Sequence, residues 1–182
     1  MAFESHYFKR DIRKEITSIR KLLDTSLSPL TDTRLDEVFS KVEIKLFMIS
    51  FSTRKLIETK KLPDSVLDME IGITRFPRNA KRRGAFFDFE KLYSLDKPTR
   101  VKMRLRDILN QFMHSFVFQA TANTRRKLTN VFVCSDRAHT QYLYLVNIKS
   151  FLKFILRATE QQVTQIHVSY DNEKGRFVMV VR

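Results

Sequence analysis

Apolar residues recur at three- and four-residue intervals over the first sixty positions, and the interval drops to two further on. Phe8, Ile12, Ile16, Ile19 and Leu23 form one stripe at helical spacing, so residues 5–26 are predicted to be a first helix. The stretch Ser26-Leu-Ser-Pro-Leu-Thr interrupts it, because proline and serine favour a turn. Thr31 or Asp32 then caps a second helix, in which Leu35, Val38, Phe39, Val42, Leu46, Ile49 and Leu56 carry the pattern to about Lys61. The middle of that helix, Ile44 to Phe51, is apolar on several sides. It is expected to be covered by the first helix and by something else. The two helices read as an antiparallel hairpin spanning residues 1–62.

After Pro63 the period changes. Leu67, Met69, Ile71 and Ile73 alternate with Asp68, Glu70, Gly72 and Thr74, the pattern of a half-buried strand. Residues 85–89 are its expected partner, which makes residues 77–84 the tip of a β-hairpin. Asp96-Lys-Pro-Thr is expected to open a central helix whose amphipathic body is residues 104–118, with Leu105, Ile108, Leu109, Phe112 and Phe116 on the buried face. Residues 131–134 and 142–146 read as strands and 148–159 as a helix. Residues 163–170 and 177–181 form a hairpin across Asp171-Asn-Glu-Lys-Gly175, whose glycine supplies the positive φ such a turn needs. Helices first and antiparallel hairpins later define an α+β fold. Its parts are an N-terminal helical hairpin, a β-hairpin, a central amphipathic helix and a mostly antiparallel C-terminal sheet with one helix. Residues 63–182 are expected to pack with the helices as one compact unit.

Composition narrows the class. A hydrophobic fraction of 43% with 16 Phe among 182 residues supports a folded core and argues against a disordered tail. No apolar run approaches the roughly 18–20 residues of a membrane span, so no membrane partner is expected. The N-terminus lacks the basic-then-apolar order of a secretory signal, and Cys134 stands alone in an apolar run. A reducing, cytoplasmic setting is the reading these features favour, with the Cys134 thiol buried and its pKa raised. Charge is the strongest signal: 34 Lys and Arg against 20 Asp and Glu give a net +14. The excess peaks between Arg75 and Arg106, where eleven basic residues face three acidic ones. Such a surface attracts polyanions and speeds their encounter. Arg75, Arg78, Lys81, Arg82 and Arg83 around the hairpin tip, and the knot Arg125-Arg126-Lys127, are the candidate nucleic-acid-binding residues.

Familiar catalytic patterns are missing. Three scattered glycines cannot build a phosphate loop or a dinucleotide fingerprint, and four unclustered histidines with one cysteine give no zinc spacing. No cofactor is expected. What remains is a polar stripe on the central helix: Arg106, Asn110 and His114 fall at i, i+4 and i+8, placing a cation, an amide and an imidazole along one edge. The segment Leu105-Arg-Asp-Ile-Leu-Asn-Gln-Phe-Met-His-Ser115 resembles the helix that defines the HEPN superfamily. These are small helical domains, many of them metal-independent ribonucleases of bacterial toxin–antitoxin and antiphage systems. Asn110 and His114 match that motif, whereas Leu109 stands where the family has its arginine and Arg106 lies further upstream. The resemblance implies RNA as the substrate class, ahead of DNA, and a homodimer whose two helices share one cleft. It also implies His114 as acid–base catalyst, with Asn110 and Arg106 in support.

Three readings follow. The first is a basic nucleic-acid-binding protein, with RNA favoured, of a bacterial defence, phage or mobile-element system. The second is a metal-independent ribonuclease or toxin using His114, and the third an interaction subunit whose basic surface meets an acidic protein partner. The first is the one that charge distribution favours.

Overall fold

Residues 2–28, 30–79, 89–173 and 175–182 are described by the structure, a computed structural model, with side chains from residue 5 onward. Helix α1 (Ala2–Asp24) buries Ile12, Ile16, Ile19 and Leu23, and α2 (Asp32–Glu58) buries Val42, Leu46, Ile49 and Leu56. These are the residues of the two stripes, and they meet in one apolar seam. The turn between the helices is tied to the sheet, because the Leu27 N–H donates to the Arg126 carbonyl at 2.9 Å. The middle of α2 is not covered as its composition implies. Ile44, Phe47, Met48 and Phe51 remain exposed, and the Phe47 and Phe51 rings stack at 6.4 Å. Only the Val42–Leu56 side of α2 faces the core, and the i, i+3, i+4, i+7 row on its other side is left open.

Five strands form one antiparallel sheet in the order β2-β1-β5-β4-β3. They are β1 (Glu70–Pro77), β2 (Thr99–Arg104), β3 (Ser115–Ala122), β4 (Leu128–Ser135) and β5 (Tyr142–Asn147). Alternation sorts their side chains. Ile71, Ile73, Ala120, Val131, Val133 and Val146 point to the helices, while Phe76, Val117, Phe132, Cys134 and Leu143 point to the other face. That second face is partly closed by α3 (Phe89–Leu92) and Tyr93. Helix α4 (Leu105–Met113) joins the two edge strands β2 and β3 and lies against β4 on the helix-covered face. Helix α5 (Ile148–Glu160) starts at Asn147, whose side-chain oxygen accepts from the Ser150 N–H at 3.0 Å. Phe151 of α5 meets Phe112 of α4 with ring centroids 4.6 Å apart.

Several expected boundaries move. The central helix covers only Leu105–Met113, not 104–118, and residues 99–104 are strand, not helix start. Val101 and Met103 alternate inward and pair with Ile73 and Ile71, so sheet pairing overrides the helix start expected at residues 96–99. The helix stops because the following chain is recruited as β3. Ser115 pairs with Ser135, and the Asp136 N–H donates to the His114 carbonyl at 3.1 Å. Phe116, expected in the core, is exposed and stacks on His139 at 4.3 Å. The first strand begins at Glu70, after a 3-10 turn at Asp64–Asp68. Its partners are β2 and β5. The partner expected for it, residues 85–89, falls outside the described residues up to Asp88, and Phe89 is helical.

The last two strands, β6 (Ile166–Asp171) and β7 (Arg176–Val181), pair only with each other. Gly175 sits at φ +59, as the turn requires. The base of this hairpin is held by the Thr164 and Gln165 N–H groups on the Arg182 carbonyl, and by the Val181 N–H on Asp64 Oδ2 at 3.1 Å. Among the described residues no helix is long and apolar enough to cross a membrane.

Candidate nucleic-acid interface

Helix α4 presents Arg106 to solvent and Asn110 at half burial, and His114 caps its C-terminal end with its side chain exposed. The side chain that organises them comes from α2. Arg54 donates from Nη1 to Asn110 Oδ1 at 2.7 Å and from Nε to Glu58 Oε1 at 2.6 Å. Two hollows of about 240 and 210 Å³ lie along the α2–α4 boundary, and Arg54 and Glu58 line both. The first takes in Arg106, Leu109 and Asn110; the second takes in Phe51, Lys55, Met113 and His114. The stripe is therefore split between adjoining hollows and reinforced by Arg54 and Lys55, which sequence reasoning missed. A guanidinium held by two acceptors is a pre-oriented donor for a phosphate oxygen.

The other basic candidates are dispersed. Arg75, on β1, lies with its guanidinium 4.4 Å from the Tyr142 ring centre. Arg78 donates from Nη1 to the His139 carbonyl at 3.0 Å, and the Tyr93 hydroxyl donates to the same oxygen at 2.8 Å. It thus fastens the loop between β4 and β5. Lys81, Arg82 and Arg83 lie outside the described residues. Arg125 and Arg126 are exposed and Lys127 half-buried in the β3–β4 turn, where Arg126 takes φ +53. That turn and Arg78 sit at opposite ends of the sheet, given the register of β3, β4, β5 and β1.

A third basic feature has no counterpart in the sequence reading. A cleft of about 650 Å³ is lined by His6, Lys9 and Arg13 of α1, by Lys60 and Lys61 just beyond α2, and by Ile166 and Met179 at the root of the hairpin. Glu160 is the one acidic residue on its wall among the described residues. Lys9 donates to the Gln161 carbonyl at 2.8 Å, and burial together with the neighbouring Arg13 holds its pKa below the usual lysine value. Lys60 meets Asp64 at 2.6 Å. The signal was present: His6, Lys9 and Arg13 stand at i, i+3 and i+7, one face of a helix.

Cys134 is buried as its apolar flank implies, and that burial pushes its thiol pKa up, with the Tyr93 hydroxyl 3.6 Å from Sγ. Among the described residues no three His, Cys, Asp or Glu side chains gather as a metal site would need. Comparison with family models, with curated proteins and with solved structures found no match to this chain.

Proposed function

We propose that this protein binds nucleic acid, RNA ahead of DNA, through cationic clefts on either side of the C-terminal end of α2. The observation that carries this reading is the division of one short stretch between them. Arg54 and Lys55 face the hollows against α4, and Lys60 and Lys61 face the cleft against α1. With Arg106, Lys9 and Arg13 opposite them, and His114 in the second hollow, a phosphate chain crossing that end meets cations on both sides. Titration of a labelled RNA by fluorescence anisotropy tests it. Affinity is expected to fall steeply between about 50 and 200 mM salt, since each phosphate contact releases counterions. Binding that is flat over that range argues for a different partner. Co-purification of an acidic protein in place of nucleic acid would point to the basic surface serving protein association.

A second reading, metal-independent RNA cleavage, is favoured by one observation. His114 is exposed in the same hollow as Arg54 and Lys55, a proton carrier beside two phosphate-binding cations. Phe51 lines that hollow and belongs to the open apolar row of α2, so a second copy seated on that row would adjoin it. Cleavage in the presence of a chelator, lost in His114→Ala, is the expected result. Intact RNA with the wild type dismisses this reading and leaves the first standing.

A further inference from the structure

The β6–β7 hairpin has a face that its own chain covers only at the root, where Val181 is buried. In the antiparallel register Val168 pairs with Met179 and Tyr170 with Phe177, and directly paired residues project to one side. Ile166, Val168, Tyr170, Phe177 and Met179 therefore form a single strip. Ile166, Tyr170 and Phe177 are 62%, 53% and 74% exposed. A two-stranded hairpin standing alone is marginal in water, and an exposed strip of this kind marks an interaction surface.

We propose that this strip is a base-stacking platform for single-stranded nucleic acid, whose phosphates pass into the basic cleft at its root. The inference rests on the nucleic-acid reading above and adds the class of substrate and where its bases go. Ile166 and Met179 belong both to the strip and to the cleft wall, so the apolar face runs without interruption into the cationic one. From Ile166 to Tyr170 the strip is about 13 Å long at the usual rise of a strand. Its outer end carries two aromatic rings, Tyr170 and Phe177, set edge to face with centroids 5.1 Å apart.

Charge decides between the molecules that could cover such a face. A purely apolar protein surface would cap the strip but bring no negative charge to Lys9 and Arg13, for which the cleft offers the Gln161 carbonyl and, among the described residues, a single acid, Glu160. A single strand carries a flat π-surface and a negative charge in every repeat, matching both parts at once. A duplex keeps its base faces stacked inside and presents phosphates, 2′-hydroxyls and base edges instead.

The test uses the full-length protein, a fluorescein-labelled single-stranded RNA and the duplex of the same sequence. The chain contains no tryptophan, so F177W introduces a lone indole as a reporter. Single strands are expected to quench that indole and the duplex to leave it bright. Y170A and F177A are each expected to weaken single-strand binding by roughly 5- to 150-fold, with F177Y close to wild type. Matching thermal melts separate lost stacking from lost folding, and if F177A fails to fold, the F177W quench and F177Y still decide the matter. Wild type binding neither RNA sinks the nucleic-acid reading and this inference with it. Wild type binding both, with R13A weakened but Y170A and F177A unchanged, overturns the platform alone. Loss of a dimer in F177A with RNA affinity intact also overturns it, by assigning the strip to a second copy.

Discussion

Arg54 of α2 and Asn110 of α4 stand 56 residues apart in the chain and 2.7 Å apart in the fold, with the guanidinium Nη1 donating to the amide oxygen. The same guanidinium reaches Glu58 through Nε at 2.6 Å. A cation fixed from both sides keeps its remaining N–H donors aimed along the α2–α4 boundary, where Arg106 and His114 lie in the adjoining hollows. Leu109, at the position an arginine would take in the resembled motif, is buried in the core. Arg54 of α2 and Arg106 of α4 line the same hollow, so its cations come from both sides of the boundary.

A double-mutant cycle measures that link. Arg54→Ala and Asn110→Ala are each expected to destabilise the fold modestly, with a coupling of about 1 kcal/mol for a partly exposed hydrogen bond to a charged donor. Urea unfolding of the two single variants and the double variant gives the value. Strictly additive losses would mean the contact has no energetic weight. Arg54→Lys should recover little, since an ammonium cannot hold Asn110 and Glu58 in the planar fork of a guanidinium.

Salt dependence separates cleft cations from the rest. Arg13→Ala, in the cleft beneath the hairpin, is expected to lower RNA affinity and to reduce the slope of log affinity against log salt by about 0.7 for a single strand. Arg125→Ala, in the turn at the far end of the sheet from Arg78, is expected to leave the slope within error of wild type. Equal slope changes in both variants would mean that the protein binds by diffuse charge instead of a defined path.

Helical stripes were legible where tertiary structure did not compete with them. Ile12, Ile16, Ile19 and Leu23 read as one buried face, and they are one. The alternation around Ile71, the apolar run around Val131 and the hairpin arm around Val168 likewise read as strand, which they are. Residues 99–118 were not separable, because Leu105, Ile108, Leu109 and Phe112 set a helical rhythm that Phe116 continues at i+4. Only the ladder from Ser115 to Ser135, with the Gln111 side chain accepting the Ser135 N–H at 2.8 Å, ends the helix at Met113. Periodicity carries no information about such distant partners. Arg54 was hidden for the same reason, as one cation among many on a polar helix face. The cleft of His6, Lys9 and Arg13 needed the end of α2 and the root of the hairpin to become a site.

Asp64 ties the hairpin to the end of α2, and that tie titrates. Burial pushes its carboxyl pKa up, but hydrogen bonds from Lys60 and the Val181 N–H, together with the Lys60 charge, outweigh burial and hold it below the ordinary value. The folded protein therefore binds this proton less tightly than the unfolded chain. The stabilisation is fully present above the unfolded value of about 4 and is lost as pH falls through the lower folded one. Asp64→Asn is expected to melt below wild type at pH 7, with the gap closing under about pH 4. A gap independent of pH would show that the shape of the side chain, and not its charge, holds the hairpin.

Ser50 of α2 gives the clearest stability prediction. It is fully buried, and its hydroxyl oxygen makes no hydrogen bond with any described group. A buried hydroxyl without a partner costs roughly 1–3 kcal/mol, and alanine is the better helix former. Ser50→Ala removes one oxygen and so opens only a small void in the seam where Leu46 and Ile49 are packed. The void offsets part of the gain. The net expectation is stabilisation by about 1 kcal/mol, a rise in Tm of roughly 2–4 °C for a chain of this length. Calorimetry of the two proteins at pH 7 is sufficient. A fall in Tm would mean the hydroxyl has a hydrogen-bonding partner in solution, and that this part of α2 is held by a polar contact as well as by its apolar neighbours.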